Sequence, residues 1–468
     1  MNAVREESGE RKWFVMYDLI VAGGKLITAE ETFSSDLAIQ GGRICAVGTD
    51  LQGKETIRAD GLYVLPGAVD PHVHLQMPIG ETASSDTWKT GTIAAACGGT
   101  TTVIDFVEPE PGESMLQALS ARRAEAEGQT LIDYALHMTI TEAMMEKLDE
   151  IPSVLDAGVP SFKLYTTYPG MKLNDYQMLD AMQAVGKIGG IVLVHSENDA
   201  ITRFHTEALL REGRFGPDAH PLSRPALAEE EAVYRVLKLA QTADASVYIV
   251  HISTAGGSAA LAQAAAAGQS AWGETCPQYL LLTEEKYQGG FEAAKYVCAP
   301  PLRAAAHQAA LWRSLSRGEL HTIGTDHCPF YFNGQKDLGK DNFTRIPGGL
   351  PGIQSRLALL HTFGVLEGHI SLNQWVALCS TRPAQIFGLY PQKGALQPGS
   401  DADIVLFDPN LKKTLTHSSL SENVDYSPYE GFKLSGMPVQ VYAHGMKVAS
   451  DGRYTGANHT GSFIRGTV

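Results

Sequence analysis

The sequence predicts an α/β protein: a (β/α)8 barrel of the TIM type with a smaller β-sandwich domain built from both chain termini. Three observations predict it. Eight short apolar or β-branched runs alternate with helix-like Ala/Leu/Glu segments over about 260 residues, the size and rhythm of such a barrel. Both ends of the chain are β-rich with Gly turns at hairpin spacing, while the middle is not. No Gly-rich dinucleotide turn follows the first run, so a doubly wound open sheet loses its main support.

In chain order, YDLIVAGG, DLAIQGGRICAVG and GLYVLPG, between Tyr17 and about Pro66, read as the strands of the N-terminal part. Gly23-Gly24 and Gly41-Gly42 lack the strand, Gly-loop and helix order of a phosphate site, and are assigned to hairpin turns. The barrel strands are VLPGAVDPHVH (64–74), TTVIDF (101–106), DYALHM (133–138), SFKLY (161–165), IVLVHSE (191–197), SVYIVHIS (246–253), SAWGETC (270–276) and HTIGTD (321–326). Helices between them include TWKTGTIAAACGG, ESMLQALSARRAEAE, EEEAVYRVLKLAQTA and GGSAALAQAAAAG. DADIVLFDP (401–409) and VQVYAHGMKVASDGRYTG (439–456) return to β character. The expected organisation is a sandwich from 14–66 and 389–455, a barrel over 67–388 and a C-terminal tail, 456–468.

Lys+Arg of 37 against Asp+Glu of 52 gives a net charge of −15, and the pI is near 5.5, which argues against a general nucleic-acid binder. With 44% hydrophobic residues the 468-residue chain can bury a sizeable core, which excludes wholesale disorder. No run approaches the ~18 consecutive apolar residues of a membrane span. The opening MNAVREESGERKW lacks the apolar stretch and cleavage site of an export signal. The six scattered cysteines contain no Cys-x-x-Cys pair, and fit reduced thiols in a cytoplasmic protein.

In a barrel of this kind chemistry sits at the C-terminal ends of the strands. The first run ends Asp70-Pro71-His72-Val73-His74, and strand residues two apart point to one side, so His72 and His74 can meet one metal ion. Alone, such a pair also suits a structural role. The fifth run ends in His195, the sixth in His251 and the eighth in Asp326. Each by itself could cap a helix, but four strand ends of one barrel carrying imidazole or carboxylate point to a hard or borderline divalent cation such as zinc. Lys163, inside SFKLY, is costly if it faces the interior unpaired. It either lies on the outer face, pairs with an acid, or loses its charge by reacting with carbon dioxide to give a carbamate that bridges two metals. The remaining histidines form no comparable set: His321 opens the eighth run at the opposite rim, and His327 points away from Asp326.

Longer stretches carry a resemblance: LPGAVDPHVHLQMPIGETASSDTWKTGT, AAACGGTTTVIDF, SFKLYTTYPGMKLND, VHSEND, YIVHIS, ETCPQYLLLT, APPLR, GTDHCPF, PAQIFGLYPQKGALQPGSDADIVLFDP and DYSPYEGF. From about Tyr17 onward the chain resembles the cyclic amidohydrolases, most closely the dihydropyrimidinase and D-hydantoinase (phenylhydantoinase) branch. The resemblance implies two Zn2+ per subunit, bridged by N6-carboxylated Lys163 and a hydroxide. His72, His74, Lys163 and Asp326 would hold one ion, and Lys163, His195 and His251 the other. It makes Asp326 the general base, taking a proton during attack and passing it to the leaving nitrogen. Tyr168 would donate its phenol to the developing oxyanion, usually the largest single contribution in such chemistry. The implied substrate is a small cyclic ureide or imide, opened to an N-carbamoyl amino acid. The implied assembly is a homotetramer, or a homodimer, with residues 453–468 reaching onto a neighbouring subunit.

Two positions depart from the family pattern. Ala299 stands where Ser is frequent before Pro-Pro-Leu-Arg, and Pro347-Gly348-Gly349 replaces Pro-Asn-Gly. Relatives contact the ring there largely through the backbone, so Ala299 and Gly348 are expected to keep the contact. Met77, Ile79 and Tyr168 make the expected substituent side apolar, which favours alkyl- and arylhydantoins. Allantoinase or dihydroorotase-like activity is the alternative within the class. A catalytically inactive scaffold is the alternative outside it, against which stands the presence of all six candidate ligands.

Overall fold

The computed structural model describes residues 2–7 and 10–468, with the backbone alone for 2–7 and 10–15. Met1, Ser8 and Gly9, within the stretch read for an export signal, lie outside the described residues. Strands β1 (Asn2–Glu7), β2 (Glu10–Ile27), β3 (Thr32–Gln40), β4 (Arg43–Gly48), β5 (Gln52–Arg58) and β6 (Tyr63–Pro66) open the chain. Gly41 and Gly42, with φ of 57° and 75°, form the β3–β4 turn, the left-handed backbone that a two-residue hairpin requires. At Gly23-Gly24 the β2–β3 register shifts, so this pair is a bulge within the paired strands.

The barrel begins with β7 (Ala68–Asp70). A short hairpin, β8 (Pro78–Ile79) and β9 (Thr82–Ala83), follows it at the rim. Then come β10 (Thr100–Val107), β11 (Asp133–Thr139), β12 (Ser161–Tyr165), β13 (Ile191–His195), β14 (Ser246–Ile249), β15 (Ala271–Thr275) and β16 (Thr322–Ile323). All pair in parallel in sequence order, as the alternating pattern predicts. The eighth-to-first seam is closed by side chains as much as by backbone. Val73 bridges His327, Asp70 accepts from the Thr325 backbone N–H (3.1 Å) and hydroxyl (2.7 Å), and buried Arg356 donates to both Val69 O and Ile323 O. The helices start where the sequence supplies caps: Thr87, Ser114 and Asn174 each close a reciprocal capping box.

The final strands, β17 (Ile404–Thr414), β18 (Lys433–Ala443), β19 (Met446–Ser450) and β20 (Arg453–Tyr454), join the N-terminal ones through β17–β6. The ten terminal strands are thus hydrogen-bonded in one continuous set, with long β2 shared among β1, β3, β5 and β6, rather than in two unconnected sheets. Leu19, Val21, Leu37, Ile39, Ile404, Leu406 and Tyr442 pack the core of this unit. It is pinned to the barrel by Lys393, fully buried against Asp133, Asp401 and Asp403, with His444 on Asp133 (2.6 Å).

The tail lies against the barrel. Gly461 N–H donates to Thr130 O, Ser462 O accepts from Tyr134, and Ile464 and Gly466 donate to Tyr134 O and Gly158 O. The backbone of 461–467 is therefore engaged with its own barrel. All six thiols are free, Cys45 exposed and the others buried. No helix among the described residues is long and apolar enough to cross a membrane.

Candidate metal centre and active-site cleft

A cavity of about 770 Å3 opens at the C-terminal rim of the barrel and is floored by His72, His74, Lys163, His195, His251 and Asp326. Lys163 sits mid-strand in β12 with its side chain inward, fully buried at 1% exposure, which rules out the outer face. His195 is the last residue of β13. His251 and Asp326 lie just past β14 and β16, and both have left-handed backbones (φ 40° and 51°), as does Tyr168 (φ 75°). Non-glycine residues in this region are strained, and their grouping around one cleft is what a pre-organised site displays. His72 and His74 meet as expected, ring centroids 5.1 Å apart, but from the loop after β7, not from the strand itself.

Ligand atoms of His72, His74 and Asp326 all lie within 4.8 Å of one another. Nε2 of His72 and of His74 lie 3.3 and 3.2 Å from Asp326 Oδ1. Yet His72 Nε2 and His74 Nδ1 are buried with no hydrogen-bond partner. His251 stacks 5.4 Å from His72 and meets His195 at 4.6 Å. Buried imidazole nitrogens without a partner, in rings crowded about a carboxylate and a lysine, suit cation binding, because a cation would satisfy lone pairs that no donor reaches.

The electrostatics agree. Burial pulls His72 and His251 well below the usual imidazole range, keeping their lone pairs free. Burial also lowers His195, against the opposing pull of Glu197. Asp326 is raised by burial but lowered further by His72, His74 and Lys163, so it stays ionised. Burial brings Lys163 down to about 8, with its ammonium facing aromatic rings of Phe106 and Tyr165 at 5.0 and 5.2 Å. Burial pushes the Tyr168 hydroxyl up, leaving it a protonated donor.

Several supporting residues escaped the sequence reading. Glu274 accepts from His72 Nδ1 (2.7 Å), His251 N–H (3.1 Å) and Tyr248 hydroxyl (3.0 Å), which fixes the tautomer presenting His72 Nε2 to the centre. Glu197 Oε2 pairs with His195 Nε2 (2.8 Å) and with Arg224 (2.5 Å), leaving His195 Nδ1 for the centre. The Arg224 guanidinium lies 5.2 Å from the Tyr168 ring. Asp105 and Arg122 grip Leu75 and so hold the His74 loop. The acids did have a visible signal, a Glu in GETC and one two residues after His195. Glu197 meets His195 of its own strand end, whereas Glu274 meets residues of other strand ends, a pairing only the fold reveals. His327 turns away to Asp86 (2.9 Å), and His137 is held by Ser161 and Pro71 O inside the barrel.

Ala299 and Gly348 both line the wall of the same cleft, and a Cβ added at Gly348 would lie 3.8 Å from Ala299 N. Among the described residues neither backbone N–H donates within the chain. Met77, Ile79, Met171, Leu338, Phe343 and Ile346 supply the apolar lining, and Glu81 and Arg345 form an exposed pair at the mouth (3.4 Å).

Fold and cleft together give a barrel with a candidate metal centre at its C-terminal rim, and sequence comparison gives the family. A family model described as the amidohydrolase family matches residues 63–448, and the chain belongs to that family. Within it, the chain is 43% identical over 453 residues to a D-hydantoinase of Streptomyces coelicolor, covering 95% of this chain and 97% of that one. It superimposes on a dihydropyrimidinase from Brevibacillus agri with a TM-score of 0.94 at 41% identity, covering 96% and 98% of the two chains. An L-hydantoinase (dihydropyrimidinase) from Arthrobacter aurescens gives 0.88 at 30% identity, covering 96% and 100%.

Proposed function

We propose that the protein is a binuclear zinc cyclic amidohydrolase that opens the ring amide C–N bond of hydantoins and dihydropyrimidines to N-carbamoyl amino acids. The observation that carries this reading is the convergence of His72, His74, His195, His251 and Asp326 on the buried Lys163 at one rim of the barrel. The names of the relatives supply the substrate class.

His72, His74 and Asp326 would hold one zinc, His195 and His251 the other, with Lys163, as its N6-carboxylate, between them. When bound, the two cations supply Lewis-acid activation of water and of the ring carbonyl. The protein's own groups do the rest. Asp326 accepts a proton as water adds to the carbonyl carbon and returns it to the ring nitrogen as the C–N bond breaks, so the ring opens to a carboxylate and a ureido group. Tyr168 donates its hydroxyl hydrogen to the oxygen that gains charge. The backbones of Ala299 and Gly348 hold the ring by paired donor and acceptor contacts, and Met77 and Ile79 receive its substituent. A homotetramer in the cytoplasm is the expected setting.

The test is a panel of alkyl- and arylhydantoins, dihydrouracil, allantoin and dihydroorotate, read by N-carbamoyl product and by metal content. Substituted hydantoins should give the highest kcat/KM, because a buried apolar side chain gains ~1.5–3 kcal/mol where a polar ureido group finds few partners. Allantoin turning over about tenfold faster would reject the substrate assignment, and ring opening by metal-free protein would reject the centre.

A further inference from the structure

We infer that Lys336, which lies behind the cleft wall and does not line the cleft, is a positioning residue that sets the geometry of the two backbone segments receiving the ring. Lys336 begins a short 3-10 turn, Lys336–Gly339, and its side chain is fully buried. Its Nζ donates to three backbone carbonyls: Val297 O at 2.8 Å, Pro347 O at 3.0 Å and Gly349 O at 2.9 Å. An ammonium has three donors, so all are used. One acceptor precedes Ala299 by two residues, and the other two flank Gly348 on either side. The two segments are also joined by the Gly349 N–H to Val297 O bond of 3.0 Å.

The arrangement is unusual for a structural lysine. Among the described residues no carboxylate pairs with Lys336, and the groups facing it are the Cys298 and Cys328 thiols and the Phe330 ring at 5.9 Å. A buried cation without a counter-ion is unfavourable, and burial pulls this one down to about 7. Leu or Met would fill the same volume without that penalty. What they cannot do is hold three carbonyls from two loops at one point. With Pro347 O turned inward to Lys336 and Cys298 O to His220, the Gly348 and Ala299 N–H groups of the same two peptides are left without partners in the chain, on half-buried residues of the cleft wall. Gly349 permits the approach, since a Cβ there would come within 2.2 Å of Cys328 O. His220 reinforces the segment from the other side through Cys298 O at 2.7 Å. The cleft wall is therefore rigid before any ring arrives, and a rigid site avoids the ordering cost of binding.

The inference rests on the proposed reading that a cyclic imide binds at Ala299 and Gly348. Its test is steady-state kinetics of Lys336→Met and Lys336→Gln in the metal-loaded enzyme with one arylhydantoin, beside metal content and Tm. Positioning predicts that Met raises KM at least about tenfold with metal content unchanged, and that Gln, which keeps two N–H donors, recovers part of it. A merely structural lysine would lower Tm and the active fraction while leaving KM alone, and that result overturns the inference. Should neither variant fold, hydrogen exchange of the wild-type enzyme decides. Protection of the Val297, Ile346 and Gly349 amides without substrate supports the clamp, and their exchange at the rate of an open loop overturns it. If the wild-type enzyme opens no cyclic imide, the functional reading fails instead, and the exchange measurement still tests the clamp.

Discussion

Lys163 to Met, Arg or Ala separates the cost of a buried cation from the use to which the residue is put. Its side chain is 1% exposed, and burial brings the ammonium from 10.5 to about 8. At pH 7 the neutral amine, the form that reacts with carbon dioxide, rises from about 0.03% to about 10%, a gain of about 300-fold. The same difference means that the charged form weighs on the metal-free fold by about 3 kcal/mol. The sign follows from the lowered folded value. Between about pH 8 and 10.5 the folded state binds fewer protons than the unfolded one, so stability rises with pH across that window, and below it the whole penalty is present. Lys163→Met should therefore stabilise the metal-free protein at pH 7 by about 3 kcal/mol in urea titration while abolishing metal loading and ring opening. Lys163→Arg should also fail, since a guanidinium forms no carbamate. Lys163→Ala should regain some metal and rate with a small added carboxylic acid. Wild-type loading should fall in carbon dioxide-depleted buffer and return with bicarbonate. An Arg variant that is active and metal-replete, or a metal-free Met variant less stable than metal-free wild type, would refute the reasoning.

His72→Ala and His251→Ala should each lower bound zinc below two per chain, measured by elemental analysis, with far-UV circular dichroism unchanged. Glu274→Gln leaves one neutral acceptor oxygen where both carboxylate oxygens serve His72, His251 and Tyr248, and should weaken metal affinity by about 10–100-fold in a chelator competition. Lys393→Met leaves Asp133, Asp401 and Asp403 buried without their cation and should cost about 3–5 kcal/mol of stability. In the wild type Asp133 is held below the usual carboxylate range: burial opposes this, but His444 and Lys393 outweigh it. Its contribution is present above the ordinary carboxylate pKa and is lost as pH falls, which an acid unfolding curve reads directly. Light scattering at micromolar concentration should give a tetramer's mass, and a monomer there would remove the assembly proposal.

The barrel was legible because each strand is an apolar run too short and too β-branched for a helix, bounded by helical segments with their own caps. Parallel order and right-handed crossovers then leave one closed arrangement. The strand ends were legible too, since His72, His74, His195, His251 and Asp326 each terminate such a run, and the rule that chemistry sits at that rim needs no coordinates. What the sequence by itself determined is thus local: which residues alternate, where runs stop, which polar type stops them. Tertiary structure alone decided the rest. It chose the inward face for Lys163, where spacing admitted either face. It supplied Glu274 to His72 from 202 residues away and Lys393 to Asp133 from 260. It folded residues 461–467 back under their own barrel. It turned Lys336 from an ordinary loop lysine into a buried tripod. Periodicity and motif report on neighbours a few residues apart, whereas a buried polar group is satisfied by whatever the closed barrel brings within 3 Å, and that choice belongs to the whole chain at once.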